Sequence, residues 1–204
     1  MYDYFKKTAL DEAYYQERIK GRLPAEIVDA HAHFNLPEHI KNITAEEVAQ
    51  DWALESGMLM PYEDAQAYVS ALLPDTAVSF ICLPWPLRNA DTAGNNQYID
   101  SIVTTHGERG LFTNRPEYSV EYIEQAFQTG HFSGFKPYPY MASSIKGADV
   151  SIFDFMPREQ FALADRLNAA VLMHLPRAGR LPAEGNIREI REIISNYPNV
   201  RLVI

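Results

Sequence analysis

Three stretches of this sequence carry side chains whose type and spacing could do chemistry. The first is Glu26-Ile-Val-Asp-Ala-His31-Ala-His33-Phe34, an apolar stretch that runs into His-x-His. In a β-strand, residues two apart point the same way, so His31 and His33 present two imidazoles on one face. Neutral imidazoles hold Zn²⁺ or a similar ion at about 2.0–2.1 Å. The second is Ala170-Val-Leu-Met-His174-Leu-Pro, another apolar strand ending in histidine. With His31 and His33 it offers a third ligand, and three protein ligands with an open position describe a catalytic metal site. The third is Ser133-Gly-Phe-Lys136-Pro-Tyr138-Pro-Tyr140. A buried ammonium is costly unless paired or neutralised. Lys136 is therefore a cation facing a substrate carboxylate, a carbamylated bridge between metals, or half of a structural ion pair.

Around these lie residues for binding. Trp85 and Arg88 follow an apolar run in Pro84-Trp-Pro-Leu-Arg88. Trp85 reads as the wall of a pocket or as loop packing, and Arg88 as a two-pronged grip on a carboxylate or as half of a surface ion pair. Arg177, three residues after His174, and Tyr138 are expected at the same mouth, with Tyr140 lining it or packing. Asp29, two residues before His31, is expected on the same strand face, as a support for the ligands or as packing. His39, His106 and His131 read as structural, and Cys82 as a buried apolar filler.

These groups need a scaffold that brings distant strand ends together. Six short apolar runs read as strands: Ile27–Ala30, Val78–Leu83, Gly110–Phe112, Gly134–Phe135, Ala170–Met173 and Val200–Ile204. Between them stand helix signals. Thr44 with Glu47 is a capping box with Gly57 at the far end, and Ala65, Tyr68, Val69 and Leu72 follow Pro61 at helical spacing. Ile99, Ile102, Val103 and His106 repeat it, and Ser119 opens a helix closed by Gly130. Pro157 starts a helix carrying Phe161, Ala164 and Leu167. Asn186 and Glu189 read as the cap of a helix carrying Ile187, Ile190 and Ile194. Alternating strands and helices predict a parallel sheet covered on both faces. Residues 1–26 are expected to form a Tyr-rich helical arm, and residues 27–204 the barrel-type catalytic domain.

Composition narrows the function classes. Of 204 residues, 47% are hydrophobic and 22% charged, an ordinary globular usage that excludes disordered and low-complexity scaffolds. Residues 1–102 carry 7 basic and 16 acidic side chains, the remainder 11 of each. No basic stripe speaks for nucleic acid as a partner. No apolar run reaches the roughly 18 residues of a membrane span, and no secretory leader is visible at the N-terminus. The single cysteine fits a reducing cytoplasm.

The motifs IVDAHAHF, GFKPYPY, AAVLMHLPR and NIREIREIISNYPNVRLVI, in this order over residues 26–204, resemble the amidohydrolase superfamily. The likeness is to its single-metal "amidohydrolase 2" branch, which includes aminocarboxymuconate semialdehyde decarboxylase and related hydrolases. The resemblance implies a distorted (β/α)₈ barrel of the TIM type with the metal at its C-terminal mouth. It implies His31, His33 and His174 as ligands; Lys136 and His174 are the candidate catalytic residues of the chain itself. It further implies a strand-six histidine and a strand-eight aspartate that this sequence does not contain. Lys136-Pro-Tyr138-Pro is also similar to hydantoinase-type enzymes, whose strand-four lysine is carbamylated, so one metal or two stays open.

An eight-stranded barrel needs about 250 residues, and six strands are legible here. The expectation is a barrel of which about six βα units are present, with an unusual smaller α/β sheet as the other reading. The expected function is a metal-dependent hydrolase using Zn²⁺, or Mn²⁺, Fe²⁺ or Ni²⁺, on a small carboxylate-bearing molecule through metal-activated water. A decarboxylase of the same kind, or a non-catalytic truncated remnant, are the alternatives. Open strand edges predict a homo-oligomer.

Overall fold

The computed structural model describes residues 6–50, 59–142, 150–177 and 179–204. Six strands form one sheet: β1 (Glu26–His33), β2 (Ala77–Leu83), β3 (Arg109–Phe112), β4 (Phe132–Phe135), β5 (Ala170–Leu172) and β6 (Arg201–Val203). Each pairs in parallel with its neighbours in sequence, in the order β1-β2-β3-β4-β5-β6. The helices α1 (Ala9–Tyr14), α2 (Ala45–Gln50), α3 (Tyr62–Leu72), α4 (Thr92–His106), α5 (Val120–Thr129), α6 (Ile152–Phe155), α7 (Arg158–Arg166) and α8 (Glu184–Asn196) come before, between and within the crossovers. The result is the partial barrel that the alternating pattern predicts, six βα strands curling with helices outside.

Two apolar clusters glue helices to the outer sheet face. One gathers Phe34, Tyr62, Phe80, Cys82, Ile99 and Ile102 behind β1 and β2. The other runs from Phe112 and Phe135 to Phe161 and Ile193 behind the later strands. Cys82 is fully buried, as a filler should be. The three remaining histidines are structural: His39 accepts from the Leu36 N–H at 3.0 Å, the ring of His106 lies 4.4 Å from that of Tyr62, and Asp100 holds His131.

Tight backbone approach fixes the middle of the sheet. Gly134 in β4 pairs with Ala170 in β5, and a Cβ at Gly134 would stand 2.2 Å from the Ala170 carbonyl oxygen. Only glycine fits there, because backbone has nowhere to retreat.

β1 departs from regular alternation. Its pairing with β2 jumps from Asp29↔Phe80 to Ala32↔Cys82, so the strand carries a bulge around Ala30 and His31. The Asp29 carboxylate accepts the His31 backbone N–H at 3.0 Å and secures that bulge. Residues in register on parallel strands share a face, so Asp29 belongs with Phe80 on the helix side. The expectation that Asp29 shares the face of His31 is corrected by this extra residue.

Two helix starts also differ from their reading. Thr44 and Glu47 do form their reciprocal cap, at 2.9 and 3.2 Å, while Gly57 lies outside the described residues. The cap read at Asn186 and Glu189 is not formed: α8 begins at Glu184, and both side chains turn to the preceding loop. The arm consists of α1 and a π-helical turn over Tyr15–Ile19, pinned where the buried Tyr15 donates to Asp75 at 2.8 Å.

The concave face is less well covered. A cavity of about 710 Å³ lies toward the N-terminal strand ends, lined among others by Ala30, Ile81, Leu111 and Val203. Val28 is 62% and Val203 49% exposed. Among the described residues β1 and β6 each have a strand neighbour on one side only. No helix of the described residues is long and apolar enough to cross a membrane.

Candidate active site

Parallel strands put all their C-terminal ends at one rim, the place where such sheets carry their chemistry. His33 ends β1, Trp85 and Arg88 follow β2, Lys136 follows β4, and His174 lies two residues past β5. The rings of His31 and His33 are 5.2 Å apart between centroids. The bulge leaves this pair together while turning Asp29 away.

His33 is locked in one tautomer. Its Nδ1 lies 2.8 Å from the Pro84 carbonyl oxygen, which only accepts, so Nδ1 carries the proton. The Nε2 lone pair then faces the site, where the Tyr138 hydroxyl donates to it at 3.2 Å. This is how metal-binding histidines are oriented, one ring N–H on a carbonyl and the other nitrogen presented. Burial pushes the His33 imidazole down to about 4, so it is neutral at pH 7.

His174 is likewise neutral, lowered to about 4 by burial and then by the nearby cations Lys136 and Arg180. Arg180 Nη1 donates to His174 Nε2 at 3.2 Å and also to the Leu175 carbonyl. The Tyr138 ring lies 6.0 Å from that of His33 and 5.9 Å from that of His174, and touches both.

Lys136 is 1% exposed. Its Nζ sits 5.2 Å from the centre of the Tyr138 ring and makes no hydrogen bond or ion pair among the described residues. Among the described residues it thus has no carboxylate partner. Burial lowers its ammonium to about 8, and its charge in turn depresses His31, His33 and His174.

The other expected residues divide. Trp85 packs edge-on against His33 at 5.6 Å, and its buried indole Nε1 has no hydrogen-bond partner among the described residues. Arg88 donates to the Ala142 carbonyl at 3.3 Å. Tyr140 is 61% exposed, 6.4 Å from the His174 ring. Arg177, expected to bind substrate, is held by side chains of α8. Its guanidinium is occupied by Glu189, at 2.7 and 3.0 Å, and by Asn186, at 2.6 Å. Arg180, which the sequence does not single out, is the arginine that contacts His174. It went unnoticed because no periodicity marks a loop residue.

The donor chemistry fits a divalent metal: three imidazoles, neutral at pH 7, at one rim, one with its outer nitrogen anchored on a carbonyl. Closure is less complete. Among the described residues no three ligand side chains stand close enough to hold one ion. The two lone pairs that would face it are engaged by Tyr138 and Arg180.

The fold is found in solved structures. An amidohydrolase II protein superposes with a TM-score of 0.55 at 16% identity, over 87% of this chain and 65% of its own. A 2,6-dihydroxybenzoate decarboxylase bound to 2,6-dihydroxybenzoate gives 0.51 at 11% identity, over 86% and 65%. A dihydroxybenzoic acid decarboxylase from Polaromonas sp. JS666, with bound manganese and the inhibitor 2-nitroresorcinol, gives 0.51 at 12%, over 86% and 63%. The likeness is one of fold, and the chain spans about 65% of the length of these structures. No family model and no curated protein matches the chain.

Proposed function

We propose that the chain forms the larger part of a metal-dependent barrel enzyme of the amidohydrolase kind. His31, His33 and His174 would hold one divalent ion, Zn²⁺ or Mn²⁺, once their rings close in and Tyr138 and Arg180 release the facing nitrogens, and the substrate is a small carboxylate-bearing molecule. The observation that carries this reading is the locked tautomer of His33, with its Nε2 turned to the rim that His31, His174 and Lys136 share. Manganese in a structure of the same fold supports the choice of ion. The metal when bound supplies Lewis acidity and an activated water. Lys136 neutralises the substrate carboxylate, Trp85 and Tyr138 wall the pocket, and Tyr138 holds a proton at its hydroxyl oxygen beside His33.

A second reading, decarboxylation, has its own support. Loss of CO₂ leaves a carbanion that needs a proton, and the groups present at the rim, the Lys136 ammonium and the Tyr138 hydroxyl, are donors. Two structures of the same fold are decarboxylases.

Metal binding is the direct test. Equilibrium dialysis followed by elemental analysis is expected to find about one equivalent of Zn²⁺ or Mn²⁺ in the wild type. His33→Ala should weaken it by about 10–100-fold or more, since even supporting residues of metal sites cost that much. Unchanged Zn²⁺ titration in His33→Ala would remove His33 from the ligand set.

We also propose self-association, in a cytoplasmic setting suggested by the single cysteine. The edges of β1 and β6 that have no strand neighbour among the described residues, and the exposed Val28, Val203 and Ile204, are templates for another strand. A protein of these 204 residues is expected to elute in light-scattering chromatography well above its 23.2 kDa. Val203→Lys should shift it toward monomer. A monodisperse wild-type monomer would refute the proposal.

A further inference from the structure

We propose that Asn95 of α4 is a positioning residue for His33, holding the peptide between Pro84 and Trp85 so that its carbonyl, and not its N–H, faces the imidazole. The inference rests on the functional reading only in giving the His33 Nε2 lone pair a use.

The Pro84 carbonyl and the Trp85 N–H are the two ends of one peptide group. That group is planar and trans, so they point in opposite directions. The carbonyl accepts from His33 Nδ1 at 2.8 Å. The N–H donates to Asn95 Oδ1 at 2.7 Å. From its other end the same carboxamide donates through Nδ2 to the Phe34 carbonyl at 2.9 Å. The partners settle which way the carboxamide faces, since an N–H only donates and a carbonyl only accepts. Asn95 is fully buried in the first turns of α4. One side chain thus binds both the residue after His33 and the residue after Pro84.

The sheet ladder does not reach this peptide. β1 and β2 pair last at His33 and Leu83, and the Phe34 N–H closes on the Leu83 carbonyl at 2.9 Å. Pro84 has no N–H to extend the pairing. Rotated by half a turn, the peptide would aim the Trp85 N–H at His33 Nδ1. Nδ1 would then have to accept, and the ring proton would sit on Nε2. The Tyr138 hydroxyl, 3.2 Å from Nε2, serves either arrangement, because a hydroxyl both donates and accepts. Two self-consistent states of His33 follow, and only one leaves Nε2 a lone pair. The bond from Trp85 to Asn95 separates them, since the flip breaks it and leaves a buried acceptor without its donor. Asn96, the next residue, supplies the comparison. It is 3% exposed and bonds both backbone groups of Thr113, each at 2.9 Å, with no hydrogen bond to the His33–Pro84 pair.

The test is long-range proton–nitrogen correlation NMR of the metal-free protein at pH 7.5, which shows which nitrogen of each imidazole carries the proton. The wild type is expected to hold His33 in the Nδ1–H form. In Asn95→Ala the ratio of Nδ1–H to Nε2–H should fall at least about tenfold, the worth of one hydrogen bond. Asn95→Asp, which keeps an acceptor for the Trp85 N–H, should restore the wild-type ratio. Asn96→Ala, which unpairs as many backbone groups, should leave it unchanged. A wild type in the Nε2–H form overturns the inference without any variant. So does a folded Asn95→Ala with the wild-type ratio, an Asn95→Asp that shifts like Asn95→Ala, or an Asn96→Ala that shifts as far. Zn²⁺ titration of the same samples keeps the two readings apart. No Zn²⁺ uptake with an Asn95-dependent ratio refutes the metal reading alone. Zn²⁺ uptake with a ratio indifferent to Asn95→Ala refutes the role of Asn95 alone.

Discussion

Replacing Lys136 with methionine is expected to stabilise the protein by about 1–3 kcal/mol, the usual cost of an uncompensated buried polar group. Methionine is close in length and fills an irregular gap without a charge. The pH dependence gives the signature. The Lys136 ammonium is lowered by burial from 10.5 to about 8. Between those two values the unfolded chain binds more protons than the folded one, so wild-type stability rises as pH rises through that window. Below about pH 8 the charged form is present in both states and the penalty is at its full value. Urea melts at pH 7 and pH 9.5 should show a clear gain with pH for the wild type, and little from this group in Lys136→Met. A loss of about 3–5 kcal/mol on substitution would mean that a buried ion pair had been broken.

Arg177→Met is expected to have the opposite effect, a loss of about 3–5 kcal/mol, as when one partner leaves a buried pair. The side chains of Arg177 and Glu189 are 15% and 7% exposed. Glu189 also accepts the Ile152 N–H at 2.9 Å, so one carboxylate joins the loop after β5, α6 and α8. Burial alone would raise the Glu189 carboxyl; the Arg177 bonds and the Ile152 N–H outweigh it and hold it below its ordinary value. Its contribution is therefore complete above the unfolded carboxyl value near 4.5 and is lost as pH falls through the lower, folded one. Arg177→Met should move acid unfolding to higher pH. The double variant Arg177→Met/Glu189→Met should recover much of the loss, because no buried charge is left alone. A single-variant loss under about 1 kcal/mol, the range of surface pairs, would contradict the assignment.

All six strands were legible because a sheet covered by helices writes itself as short apolar runs between helix signals. The His31–His33 pair was legible because period-two parity holds across Ala32. The same parity misplaced Asp29, since one extra residue in β1 moves everything before it to the other face. For Arg177 it gives no guide: β5 ends at Leu172, and past a strand end counting by twos carries no information. Asn186 and Glu189 have cap-like spacing, yet their partners are loop carbonyls and an arginine twelve residues upstream, which local spacing does not reveal. The three-histidine set was inferred from strand ends. Whether the rings close on one point depends on what lies between them, and there Tyr138 and Arg180 already hold the facing nitrogens.

The strand order has a consequence for how the molecule acquires its chemistry in time. Since each strand pairs with the one just before it, every added βα unit finds its dock already present, a topology suited to growth from a ribosome. The rim is completed in the same sequence. The lock between His33 and Pro84 spans 51 positions and closes once β2 has docked. The Tyr138 contact spans 105 positions and waits for β4. His174 and Arg180 come only with β5, and the contacts that restrain their loop only with α8. A nascent chain thus sets the proton position on His33 long before the cationic half of the rim exists. The chemically demanding ensemble is the last to be paid its closure entropy, on a sheet that local pairing has already ordered.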